Sequence, residues 1–247
     1  MFFPILTPPS RVFFKASGQI SPLSPCGPEI WERRDLKVFC KSLDNRLDVS
    51  LEASAAEPEA VQLRWDLDIR GHYLFLNDHW ERGYGDLQWG VMQPERVYPW
   101  YFMAFDGERA HGYGVRTLPN AMAFWLADSK GVSLWLDLRC GGAGVRLKGR
   151  HLDAVSIVVR EGLPGESPFA AAKAFCRTMA VLPARQHPVV YGGNNWYCDY
   201  GESSEGGILE QAKIMTRLAG QNQNRPYMVV DDGWQICHAH SCNGGPW

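Results

Sequence analysis

Neither sign of charge is in excess in this sequence of 247 residues: 25 lysines and arginines stand against 27 aspartates and glutamates, a net charge of −2. A chain so close to neutral has no electrostatic means of holding a nucleic acid or an anionic membrane surface. Long apolar runs are also missing, and none reaches the roughly 18 residues that a membrane-spanning helix needs. The opening Met1-Phe2-Phe3-Pro4-Ile5-Leu6 is apolar, but it has no basic flank, no continuous apolar core and no small-residue cleavage site, so it is not read as a secretory signal. Cysteines are few enough to name: Cys26, Cys40, Cys140, Cys176, Cys198, Cys237 and Cys242 form an odd, scattered set. That favours free thiols in a reducing cytoplasm over a disulfide framework. Helical periodicity is scarce before Pro168, which leaves a β architecture for everything ahead of it.

What is present there is strand patterning. Asp35–Cys40, Arg46–Glu52 and Val61–Ile69 alternate apolar and polar residues, as half-buried strands do. Further strands are expected at Trp100–Phe105, Ala110–Val115, Ala121–Trp125, Val132–Leu138 and Ala154–Val159, joined by turn residues such as Asp106-Gly107 and Ser129-Lys130-Gly131. Residues 1–28, rich in proline and serine, read as an irregular or edge-strand lead-in. Residues 1–166 are therefore expected to form an antiparallel β-sandwich domain. A helix starting at Ser167-Pro168, with the linker that follows it, fills 167–187. The ten tryptophans suit a carbohydrate-handling protein, although core filling accounts for most of them in a large sandwich.

Residues 188–247 change character. Pro188–Gly193 is a short β-branched run that breaks at glycines and delivers Asn194-Asn195-Trp196 into a loop. Ser203-Ser204-Glu205 offers capping oxygens, and Ile208, Leu209, Ala212, Met215, Leu218 and Ala219 recur at helical spacing up to Gly220. Pro226–Val230 is almost wholly apolar and ends in Asp231-Asp232-Gly233-Trp234. Strand, helix and strand make a βαβ unit, whose parallel strands end on the same side of the sheet. Trp196, Asp231 and Asp232 are thus expected to be neighbours. An indole offers a flat apolar wall to a sugar ring, and carboxylates accept hydrogen bonds from its hydroxyls. The plainer alternative is a solvated acidic turn beside a core tryptophan.

Asn194-Asn195-Trp196 followed by Asn224-Arg225-Pro226-Tyr227-Met228-Val229-Val230-Asp231-Asp232-Gly233-Trp234-Gln235 resembles the start of the catalytic barrel of α-galactosidases and related melibiases, the glycoside hydrolase clan of families 27 and 36. Asn243-Gly244-Gly245-Pro246-Trp247 is similar to the loop that follows in bacterial members. Family 36 is the closer side, because Gly193 stands where family 27 carries the first tryptophan of its Gly-Trp-Asn-Ser-Trp form. The resemblance implies a β-supersandwich-like domain followed by the first βαβ of a truncated (β/α)8 TIM barrel. It implies retaining hydrolysis of terminal α-galactosides with no cofactor, an α-galactoside or related oligosaccharide as partner, and sugar binding by Trp196, Asp231 and Asp232. The nucleophile and acid/base are expected beyond Trp247, so the chain reads as a fragment that is inactive alone. Neighbouring Asp231 and Asp232 point to opposite faces of a strand and are badly placed to flank a scissile bond themselves. Raffinose-synthase-like transfer and a noncatalytic carbohydrate-binding sandwich stay open as alternatives, as does self-association into a homo-oligomer.

Three other motifs lead elsewhere. Cys237-His238-Ala239-His240-Ser241-Cys242 packs four zinc-ligating side chains too closely to close around one ion, and is read as a polar loop with no metal. The aromatic stretch His79–Trp89 suits either a loop over a sugar site or surface packing. Gly141-Gly142-Ala143-Gly144 lacks the lysine-serine or helix start of a phosphate loop and reads as a turn between strands.

Overall fold

A computed structural model describes residues 2–69, 71, 73–81, 83, 85, 87–139, 142–182, 188–200 and 202–231. The chain divides into two compact units, Met1–Pro183 and Ala184–Trp247. In the first, the strands run in chain order as β1 (Arg11–Ala16), β2 (Gln19–Pro22), β3 (Ser24–Gly27), β4 (Ile30–Arg33), β5 (Leu36–Leu43), β6 (Arg46–Ala53), β7 (Ala60–Asp66) and β8 (Leu74–Asn77). They continue as β9 (Gly90–Val91), β10 (Tyr98–Pro99), β11 (Tyr101–Phe105), β12 (Ala110–Val115), β13 (Met122–Asp128), β14 (Gly131–Asp137) and β15 (His151–Arg160), followed by helix α1 (Pro168–Met179). A six-stranded sheet has the order β10-β13-β14-β7-β1-β2, and a nine-stranded sheet the order β3-β4-β5-β6-β15-β12-β11-β8-β9.

Alternation of apolar residues turns one face of each sheet into a shared core. Val38 and Cys40 of β5 and Leu47, Val49 and Leu51 of β6 meet Val61, Leu63 and Trp65 of β7 and Val132, Leu134 and Leu136 of β14 from the other sheet. Each fully buried aliphatic side chain contributes about 1.5–3 kcal/mol. The pairing is antiparallel throughout both sheets, the expected β-sandwich. Aromatics fill its middle: Phe75 stacks on Tyr98 with centroids 5.9 Å apart, Phe102 on Tyr113 at 5.0 Å, and Trp125 meets Phe102 edge-on at 5.7 Å.

The lead-in is more ordered than its composition suggests. It supplies β1, β2 and β3, and β1 lies inside the six-stranded sheet between β7 and β2. Only Val12 of β1 is buried, so ladder bonds to two neighbours hold this strand rather than an apolar face.

Helix α1, read from the sequence as a linking helix, packs on the outer face of the nine-stranded sheet. Ser167 caps it, its Oγ accepting from Ala170 N at 3.2 Å, and Pro168 opens it. Ala171, Phe175 and Met179 bury against Met103, Ala110 and Val158. Glycine makes that approach feasible: a Cβ at Gly112 would stand 2.3 Å from the Phe175 ring, and one at Gly114 2.9 Å from Met179 Sδ.

The second unit contains β16 (Gly192–Asn194), α2 (Trp196–Asp199), α3 (Glu205–Ala219) and β17 (Tyr227–Val229). β16 and β17 pair in parallel, with Gly192 beside Tyr227, Gly193 beside Met228 and Asn194 beside Val229. Both strands are shorter than the apolar runs that announce them, because pairing is confined to these three positions and leaves Val189 and Val190 exposed. Ser204 Oγ accepts from Gly207 N at 3.2 Å to cap α3, and Gly220 ends it with a φ of 53°. None of the helices in the described residues is long and apolar enough to cross a membrane.

Candidate functional site

β16 ends on Asn194, and β17 ends two residues before Asp231. Since the strands are parallel, these two ends lie at the same edge of the pair. A close backbone approach permits the pairing: a Cβ on Gly192, whose φ is 159°, would fall 1.8 Å from the carbonyl oxygen of Tyr227. Gly193 faces Met215 of α3, and a Cβ there would sit 3.1 Å from its Sδ. A tryptophan at Gly193, as in the family 27 pattern, would have to displace that methionine.

Two adjacent amides organise the site. Asn194 Oδ1 accepts from Trp196 N at 2.7 Å, while its Nδ2 donates to Asp231 Oδ2 at 2.6 Å. One side chain therefore holds both the start of α2 and the carboxylate after β17. Asn195 is 1% exposed, and its Oδ1 accepts from Asp231 N at 2.8 Å. Its Nδ2 donates to Asp199 Oδ2 at 3.0 Å and to Ser203 Oγ at 2.6 Å. Gln211 of α3 adds a donor to Asp199 Oδ2 at 3.3 Å. The network spans β16, α2, α3 and the segment after β17, and it is anchored on Asn195, its buried member, whose bonds are shielded from water.

Trp196, expected in a loop, opens the single turn of α2 instead. The turn forms because Asn195 takes a right-handed helical conformation and its carbonyl accepts from both Cys198 N and Asp199 N. Tyr200 then ends it in the left-handed region at φ 47°. The half-buried Trp196 ring meets Tyr200 edge-on at 5.9 Å, and Tyr197 meets the Tyr200 ring edge-on at 6.1 Å. Tyr197 and Tyr200 are exposed. Asp199, whose carboxylate accepts from Asn195 and Gln211, thus lies in the same single turn as Trp196 and Tyr197, just ahead of Tyr200.

Of the three residues expected to bind sugar, Trp196 and Asp231 are tied to one side chain, and Asp232 lies outside the described residues. So do Cys237–Cys242 and Asn243–Trp247. Asn194 and Asn195, quoted in the sequence motif without a role of their own, are positioning residues, and so is Asp199, which no sequence signal marked. In the aromatic stretch 79–89, Trp80 packs edge-on to Trp100 at 4.8 Å and Trp89 to Phe105 at 6.2 Å. Gly144, in the connection from β14 to β15, lies against the backbone of Glu57, where a Cβ would be 2.3 Å from the carbonyl oxygen. Among the described residues no cluster of histidine, cysteine and carboxylate side chains is arranged to hold a metal ion. No protein-family model matches the sequence, and no curated protein matches it.

Proposed function

We propose that the unit built on β16 and β17 recognises the terminal hexose of an α-galactoside, as the opening part of a (β/α)8-barrel glycoside hydrolase. The observation that carries the reading is the Asn194 amide, which bonds the Trp196 backbone and the Asp231 carboxylate together at the ends of two parallel strands. The resemblance of Asn194–Trp196 and Asn224–Gln235 to melibiase barrels supplies the sugar and the reaction class. In this reading the Trp196 indole lies against the apolar face of the ring, and Asp231 and Asp232 accept hydrogen bonds from its hydroxyls. Their task is orientation. Retaining cleavage requires a nucleophile and an acid/base roughly 5–5.5 Å apart, and the proposal assigns both to barrel strands other than β16 and β17. No metal or organic cofactor takes part.

The test is Asp231→Asn in an enzyme that carries this unit within a whole barrel. Loss of a charge-assisted hydrogen bond of about 1.5–3 kcal/mol lowers kcat/KM for an aryl α-galactoside by about 10- to 100-fold. An unchanged kcat/KM would remove Asp231 from the sugar site.

A further inference from the structure

The outer face of the nine-stranded sheet carries a groove that the site above does not use. Cross-strand register sets rows of outward side chains across β4, β5, β6 and β15. One row is Ile30, Phe39, Ser50 and Asp153; the next is Lys41, Asp48 and Ser156. Arg116 extends the second row, its backbone N–H donating to the Ser156 carbonyl at 2.8 Å. Two cavities of about 440 Å³ each adjoin on these rows and share Asp48 and Asp153. Ile30 and Phe39 line one, with Glu29, Lys41 and His151 around them. Arg116, Leu118, Asn120 and Ser156 line the other. Both volumes fall in the range of small-molecule sites.

Three features give the groove its shape. A β-bulge between Asp153 and Val155 re-aims β15 where the cavities meet. Asn120 locks that bulge, its N–H donating to the Ala154 carbonyl at 2.9 Å and its Nδ2 to the Asp153 carbonyl at 2.8 Å. The same loop holds Leu118 in the left-handed region at φ 64°, with 75% of its surface exposed, so a large apolar side chain is kept at the rim in a conformation that residues with a Cβ disfavour. Beside it the Nε of Arg116 is a buried donor that meets no acceptor among the described residues.

The lining selects the ligand. Lys41 and Arg116, joined by His151 when it is protonated, offset Glu29, Asp48 and Asp153, so the groove carries little net charge of either sign. Donors and acceptors alternate along it, which suits hydroxyls, since each hydroxyl both donates and accepts. Phe39, Ile30 and Leu118 offer apolar patches to the C–H faces of a pyranose. From β4 to β12 the rows cross four strand spacings, about 19 Å, long enough for several linked rings. We propose that this groove binds a neutral oligosaccharide of several hexose units, independently of the hexose site at Trp196 and Asp231.

The test is a titration of the 247-residue chain with cello-, malto- and galactopentaose, followed by amide chemical shifts and calorimetry. At least one pentaose is expected to bind saturably at millimolar concentration, with shifts at Phe39, Ser50, Ser156 and Arg116. Phe39→Leu, which keeps apolar volume but loses the flat ring, should weaken binding by about tenfold. Lys41→Ala, at an exposed position that leaves the core intact, should weaken it too, and Trp196→Ala should not. Absence of saturable binding by all three sugars would overturn the proposal. So would shifts confined to residues 188–231, wild-type affinity in both groove variants, or stronger binding of an acidic pentasaccharide such as pentagalacturonate. Unchanged hexose recognition in Trp196 and Asp231 variants, with the groove titration intact, would count against the other site alone.

Discussion

Replacing Asn195 with alanine removes three hydrogen bonds at once, and the structure gives each its weight. Asp231 N loses its acceptor at 2.8 Å, Ser203 Oγ its donor at 2.6 Å and Asp199 one of its donors at 3.0 Å. Neutral hydrogen bonds contribute about 0.5–1.5 kcal/mol each, and one to a carboxylate about 1.5–3 kcal/mol. With Asn195 at 1% exposure, water does not simply take over these partners. Asp199 keeps Gln211, which limits the loss on that side. The sum is about 3–5 kcal/mol for opening the segment that joins β16, α2 and Asp231. At 1.4 kcal/mol per factor of ten, amide hydrogen exchange at Asp231, Cys198 and Asp199 should quicken by about a hundredfold or more, up to the limit set by the unit's own stability. Asn195→Asp separates the charge effect from the lost bonds. It puts a second carboxylate where an amide donor now meets Asp199, so its exchange should be fast at neutral pH and slow again on acidification, as one of the pair takes up a proton. Exchange at Asp231 within about threefold of wild type in Asn195→Ala would refute the argument that this amide ties the strand ends together.

Gly192→Ala should abolish the parallel pairing, because its Cβ would overlap the Tyr227 carbonyl; the Tyr227 amide, which now donates to Tyr191 O at 2.9 Å, should lose its exchange protection. Phe175→Ala should cost the sandwich unit about 3–5 kcal/mol in urea unfolding, since the ring is fully buried between α1 and the sheet. Gly112→Ala, disruptive in the wild type, should be better tolerated in that variant, and strictly additive effects would contradict the contact. His151 donates toward Glu52 Oε1 at 3.0 Å and Asp153 Oδ1 at 3.2 Å when protonated, and the bond to Glu52 leads in raising its pKa above the ordinary histidine value. A raised folded pKa adds stability that is fully present below about pH 6.5 and is lost as pH rises through the folded value. The difference in urea midpoint between wild type and Glu52→Gln should therefore shrink from acidic to alkaline pH, and a constant difference would sink the linkage.

Much of the sandwich could be read along the chain because its signals are local. In β6, Leu47, Val49, Leu51 and Ala53 turn inward at every second position, and β7 and β14 show the same period. Ser167-Pro168 and Ser204 mark where α1 and α3 begin, since a side-chain oxygen and a fixed φ act within one turn. β1 was read only as part of an irregular or edge-strand lead-in, and its place inside the sheet stayed hidden because it buries a single residue and pairs on one side with β7, far along the sequence. The packing of α1 on the sheet was equally hidden, although Gly112 and Gly114 were in plain view, because a glycine says that something comes close without saying what.

The residue types and order alone determined the two-part composition of the chain, a strand-rich portion followed by strand, helix and strand, since periodicity and capping depend on neighbours a few positions apart. Which side chains meet was decided only by tertiary structure. Asn194 reaches Asp231 across 37 positions, and Ile30, Phe39, Ser50 and Asp153 form one row through the register of four strands. Such contacts follow from backbone pairing summed over whole sheets, and no local pattern encodes that sum.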